Sequence, residues 1–196
     1  MDSIDYYNRY AIPYFNETVG LNMEAMLDEF IELLPENAEV LDLGCGSGRD
    51  TVYLDEEGFA VTAMDGSSKM CELASIHTGK EVLHLTIEEM EFCDVFHGIW
   101  ACAVLGHIEP NEAEYVMKKI LRALKDEGVL YFSVRKGDRN GIYNGRYYCD
   151  YSRSEIEELL DKFDTVEVLR IWKTQDVRTG NEEDQWYNVL LRKNER

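Results

Sequence analysis

Residues 40–58 read VLDLGCGSGRDTVYLDEEG, an apolar run that breaks into glycines at 44, 46 and 48 before a helical stretch begins. A buried strand that feeds a glycine loop and then a helix is the opening unit of an open α/β sheet holding a nucleotide. The spacing narrows which nucleotide. The dinucleotide fingerprint is GxGxxG, with a pyrophosphate resting on the helix N-terminus. Here the third glycine comes one residue early, and Arg49 and Asp50 follow it. A carboxylate in the first helical turn competes with a phosphate for the positive end of the helix. No GK[ST] follows, so a Walker phosphate loop is excluded. A ligand without phosphates fits better. Gly44, Gly46 and Gly48 let the backbone come close to it, and Asp65, 17 residues beyond Gly48, can accept both ribose hydroxyls.

Outward from this stretch, strand-like runs alternate with helical ones. Residues 39–43, 60–64, 82–85, 98–104 and 129–134 are short, apolar and bounded by turn residues, the pattern of buried strands. Met23, Met26, Leu27, Phe30 and Leu34 recur at helical spacing up to Pro35, and Ala113, Val116, Ile120 and Leu124 mark a second amphipathic helix between Pro110 and Gly128. Ser154 and Glu157 have capping-box spacing ahead of Ile156, Leu159, Leu160 and Phe163. Residues 166–172 and 186–192 read as strands separated only by the polar stretch KTQDVRTGNEEDQ, so the pair is antiparallel. The expected fold is α/β: a doubly wound, mostly parallel seven-stranded sheet with an antiparallel C-terminal hairpin, all within one domain of residues 1–196.

Composition sets bounds. The formal net charge is −19, which repels a phosphate backbone, so neither nucleic acid nor an anionic membrane is an expected partner. No apolar run approaches the roughly 18–20 residues that cross a bilayer, and the start MDSIDYYNRY is polar and acidic, unlike a signal or transit peptide. Cys45, Cys71, Cys93, Cys102 and Cys149 form no CxxC pair, as expected of reduced thiols in a cytoplasmic protein. His77, His84, His97 and His107 have no zinc-ligand spacing with them, and no metal is expected. Oligomeric state is not legible.

LDLGCGSGRD, followed by VTAMDGSSKM, resembles motifs I and II of the class I S-adenosylmethionine-dependent methyltransferases. YYNRYAIPYFNET resembles their N-terminal lid, and GIWACAVLGHI with EGVLYFSVRKG resembles motifs IV to VI, so nearly the whole chain is covered. The wording is similar to the small-molecule branch that includes tellurite-resistance-type enzymes. One departure is His97, where relatives often carry an acid. The resemblance implies S-adenosyl-L-methionine as cofactor and S-adenosyl-L-homocysteine as product. It implies a lid over residues 1–35 with Tyr6 and Tyr14 facing the sulfonium, and Asp42 near the methionine end. It places Gly66, Ser67, Met70, Ile87 and Glu88 around the adenosine, and Ala101 and Cys102 beside the methyl group. Arg49 and Asp50 have two readings, cofactor contact or local ion pairing at the helix start. His107 is the candidate for substrate or proton handling, or else a hydrogen-bonded structural residue.

Residues 135–153, RKGDRNGIYNGRYYCDYSR, form a cation-rich segment expected as a loop insertion after the fifth strand, where open sheets bind ligands. Arg135, Arg146 and Tyr147 then shape an acceptor pocket for an anionic small molecule, or the cations merely offset nearby carboxylates. The expected reaction is in-line methyl transfer to a small-molecule acceptor, with no general base needed for a soft ionised atom such as selenium, tellurium or thiolate sulfur. Two rivals stand beside it: a non-catalytic cofactor-binding protein and an NAD-linked oxidoreductase.

Overall fold

Strand β1 (Glu39–Leu43) buries all but its first residue, which places it inside a sheet with both faces covered. The computed structural model describes residues 3–181 and 183–195. Met1 and Asp2 of the expected lid, Glu182 of the polar stretch 173–185, and Arg196 lie outside the described residues. Parallel to β1 on either side run β2 (Ala60–Asp65) and β4 (Phe96–Ala101). Beyond them lie β3 (Val82–His84) and β5 (Leu124–Arg135), also parallel. Strand β9 (Gln185–Lys193) pairs antiparallel with both β5 and β8 (Val166–Gln175). The order is β3-β2-β1-β4-β5-β9-β8, the expected seven-stranded, mostly parallel sheet with its reversed C-terminal pair. Strand order changes direction between β1 and β4, which opens a crevice at their carboxyl ends.

Alternation along the strands divides the core. Val40, Trp100, Val129 and Tyr131 pack in one cluster with Phe30 of α3 (Glu24–Ile31) and Leu54 of α4 (Arg49–Glu56). Leu41, Ile99, Leu130 and Phe132 point the other way, to Ile120 of α6 (Ala113–Ala123) and Ile156 of α7 (Arg153–Leu160). Helix α5 (Ser68–Thr78) packs Cys71 and Ala74 on Ala63 and Val82. Two short helices, α1 (Ser3–Arg9) and α2 (Ala11–Thr18), lie against α5.

Four expectations are corrected. The strand expected over 98–104 ends at Ala101, because Ala103 adopts φ 59° and turns the chain into a single 3-10 turn, Leu105–His107. Segment 135–153 is not a loop: it carries a hairpin of β6 (Asn140–Tyr143) and β7 (Arg146–Cys149). Its turn residues Asn144 and Gly145 have φ of 51° and 81°, the left-handed pair that a tight two-residue hairpin needs. The capping box on α7 is Ser152 with Glu155, two residues before the expected pair. Gly128 does not follow a helix end: α6 stops at Ala123, and a Cβ on Gly128 would sit 2.8 Å from the Lys125 carbonyl inside a tight bulge of β5.

Candidate functional site

The loop after β1 is built around Asp65. One carboxylate oxygen accepts the Gly46 N–H at 3.0 Å and the other accepts the Ser67 N–H at 2.8 Å. Those bonds hold the carboxylate at the carboxyl ends of β1 and β2 and leave lone pairs for a ligand. Burial raises its pKa, against the pull of the two N–H groups. Gly44 is required by shape, since a Cβ would lie 2.5 Å from Val104 Cγ2. Gly48 serves packing: its φ is 75°, and a Cβ would meet Thr78 of α5 at 2.6 Å.

A cavity of about 650 Å³ opens beside Asp65. Gly44, Gly46, Gly66, Ser67 and Met70 line it, as do Ile87 and Glu88, and Tyr14, Cys102, His107 and Tyr147. No lysine or arginine is among its lining residues, whereas Asp65, Glu88, Glu109 and Glu112 are. The N-terminal helices cover it. Ser3, Ile4 and Tyr7 of α1 reach its wall, and Asn8 Oδ1 accepts from Ser67 Oγ at 2.8 Å and from Lys69 N at 3.2 Å.

A second cavity of about 360 Å³ adjoins the first. Tyr7, Tyr14, Gly44, Gly46, Cys102, Ala103 and His107 line both, so this junction joins them. Asp42, Arg49 and Asp50 line the second cavity, and so do Arg135, Arg139 and Arg146. Asp42 accepts Thr51 Oγ1 at 2.5 Å; burial, with Asp50 nearby, raises its pKa to about 7. Asp50 holds Arg49 by two bonds, at 2.6 and 2.8 Å, and accepts the Trp100 indole N–H at 2.8 Å. Both residues therefore pair locally and also face the cavity. Cys102 at the junction has its thiol pushed up to about 12 by burial and Asp50, so it stays protonated.

His107 is fully engaged. Nδ1 lies 2.8 Å from the Tyr147 carbonyl and must donate to it, which leaves Nε2 to accept the Tyr7 hydroxyl at 2.9 Å. Arg146 donates to the same hydroxyl at 2.9 Å. Burial, with Arg146 and Arg139 nearby, lowers the imidazole pKa to about 4.

Three expected residues line neither cavity. Tyr6 packs on Tyr10 and beneath Arg146, Ala101 is buried in the sheet core, and Gly48 sits at the α4–α5 contact. Tyr7, the neighbour of Tyr6, lines both cavities. Its ring lies 4.9 Å from that of Tyr14, across the break between α1 and α2. Arg139 and Tyr148 also line the site without having been singled out for it, as does Ala103, from the strand end expected beside the methyl group. Ala103 carries the only signal of local strain among the junction's non-glycine residues, its positive φ, and Ser133 Oγ accepts its N–H at 2.9 Å.

The strand order and reversed C-terminal pair are those of the Rossmann-like fold that solved methyltransferases share. Residues 41–132 match the family described as a methyltransferase domain. A putative methyltransferase, YqeM, of Bacillus subtilis is 33% identical over 109 residues, 52% of this chain and 44% of that protein; the chain spans about half the length of the curated relatives it matches. The Burkholderia thailandensis 1,6-didemethyltoxoflavin-N1-methyltransferase, solved with S-adenosylhomocysteine, has a TM-score of 0.76 at 22% identity, covering 98% of this chain and 85% of that one. The [4+2]-cyclase SpnF has a TM-score of 0.75 at 14% identity, covering 98% of this chain and 96% of that one.

Proposed function

We propose that this protein is an S-adenosylmethionine-dependent methyltransferase acting on a small-molecule acceptor, with residues 1–35 as its lid and residues 135–153 as part of the acceptor site. The observation that carries the reading is the cation-free, carboxylate-lined cavity beside Asp65. A dinucleotide pyrophosphate would lie there with no lysine or arginine to meet it, whereas a positively charged adenosyl donor is matched by the carboxylates. When bound, the donor supplies an electrophilic methyl group on a sulfonium.

The chain's residues bind, align and exclude water. Asp65 holds the ribose, Met70 and Ile87 pack on the adenine, and Asp42 faces the amino-acid end. Tyr7, Tyr14, Ala103 and Cys102 surround the junction, where the aromatic faces favour a cation. Alignment of the acceptor with the sulfur–methyl bond supplies much of the acceleration, and the docked α1–α2 segment keeps water away. His107, neutral and bonded on both nitrogens, orients Tyr7 and Tyr147; with a pKa of about 4 it is a weak base. That suits an acceptor that needs no deprotonation.

Asp65→Ala tests the donor site. Its expected effect is at least a tenfold loss of S-adenosylhomocysteine affinity by calorimetry, and unchanged affinity overturns the ribose assignment. Turnover is tested by offering selenite, tellurite, thiols, amines and carboxylates and following S-adenosylhomocysteine. Binding without turnover for every acceptor favours the cofactor-binding rival.

A further inference from the structure

The second cavity is lined by five arginines, and four of them are neutralised. Arg49 pairs with Asp50, Arg139 with Asp150, Arg135 with Asp184 and Arg178 with Asp176. Arg146 has no carboxylate partner among the described residues. Its Nη atoms donate to the hydroxyls of Tyr7 and Tyr148, and its guanidinium lies 4.9, 5.5 and 4.6 Å from the ring centres of Tyr6, Tyr7 and Tyr148. Hydroxyls and rings orient a cation without cancelling its charge, and a part-buried cation without a counter-ion is costly. This occurs in a chain of net charge −19, where a carboxylate partner would be easy to supply.

A second observation points to the same place. Two side-chain nitrogens are buried without a hydrogen-bond partner among the described residues, the Nε atoms of Arg146 and Arg135. Both arginines line this cavity. Buried donors are nearly always satisfied, so these two arginines, which line one cavity, keep unspent hydrogen-bonding capacity. A carboxylate matches such donors, because its two oxygens accept guanidinium N–H groups in pairs. The rings of Tyr7, Tyr14, Tyr148 and Trp186 also line the cavity and offer flat apolar faces.

We propose that the methyl acceptor is a small aromatic carboxylate whose carboxylate is held by Arg146, with Arg135 assisting, so that Arg146 determines acceptor specificity. This rests on the methyltransferase reading. Both sequence alternatives for segment 135–153 then apply, to different residues: Arg139 offsets Asp150, Arg146 is left for a ligand, and Arg135 pairs with Asp184 through Nη2 while its Nε has no partner among the described residues.

The test measures benzoate and its neutral analogue benzamide by calorimetry on the full chain saturated with S-adenosylhomocysteine. Wild type is expected to bind benzoate at least tenfold more tightly than benzamide. Arg146→Met is expected to abolish that preference while changing S-adenosylhomocysteine affinity less than threefold, and Arg146→Lys to restore it only in part, since an ammonium lacks the planar fork. Equal binding of benzoate and benzamide by wild type overturns the proposal without any variant. A preference that survives Arg146→Met also overturns it, as does a loss of S-adenosylhomocysteine affinity matching the loss of benzoate, which would assign Arg146 to the donor's own carboxylate. If S-adenosylhomocysteine does not bind wild type at all, the methyltransferase reading falls first.

Discussion

Asp42 and His107 are buried titratable groups held on opposite sides of their ordinary pKa values, and their effects on stability have opposite signs. Asp42 is raised to about 7 by burial and by Asp50, against about 3.9 in an unfolded chain. Between those values the folded protein keeps a proton that the unfolded chain has lost, so this contribution to stability falls as pH rises. His107 is lowered to about 4 by burial and the neighbouring arginines, from about 6.5 unfolded. Its contribution is complete above that ordinary value and is lost as pH falls toward 4. Asp42→Asn keeps an oxygen for the Thr51 hydroxyl and removes only the titration. The thermal midpoint of the variant relative to wild type is therefore expected to climb between pH 5 and pH 8, by at least roughly 3 °C, which about 1 kcal/mol produces in a domain of this size. A difference that stays flat with pH would show that Asp42 is ionised throughout.

Among the elements, α1 depends most on its neighbours. Seven residues with none buried are too few to hold a helix in isolation, and the docking contacts do so instead. Asn8 accepts from the Ser67 hydroxyl, the Ser68 hydroxyl and the Lys69 N–H at the start of α5, while Ile4 covers Gly66. Asn8→Ala is expected to speed amide exchange through residues 3–18 by tenfold or more and to weaken S-adenosylhomocysteine binding severalfold, with the thermal midpoint nearly unchanged. Wild-type exchange would place the docking on Ile4 and Tyr7. The same helix shows why parts of the site were hard to read. With no buried apolar residue to set its rotation, sequence spacing could not choose between Tyr6 and Tyr7. The glycines and Asp65 were readable because strand ends and their loops are continuous in sequence. Arg135 and Asp184 meet only through the β5–β9 pairing, which no local pattern reports. The β6–β7 hairpin was concealed by its charges and by two competing Asn-Gly pairs. Gly141 has φ 145°, within β6, and only Asn144–Gly145 makes the turn.

At the scale of the whole molecule, the charge of −19 acts differently on the three small molecules of the proposed reaction. An S-adenosylmethionine molecule carries net charge of about +1 near neutral pH, its homocysteine product about zero, and a carboxylate acceptor −1. A strongly acidic protein draws in the first, is indifferent to the second and repels the third until it reaches the arginines of the second cavity. Salt shortens the reach of the field, from about 30 Å at 0.01 M to about 8 Å at 0.15 M. Stopped-flow tryptophan fluorescence across that range is therefore expected to show S-adenosylmethionine associating severalfold more slowly at the higher salt, with little change for S-adenosylhomocysteine. Benzoate, binding to the product-loaded protein, is expected to associate faster as salt rises, because relief of the long-range repulsion precedes any contact with Arg146. Parallel salt responses for all three would mean that short-range contacts alone govern entry, and that the acidic surface has no part in sorting donor, product and acceptor.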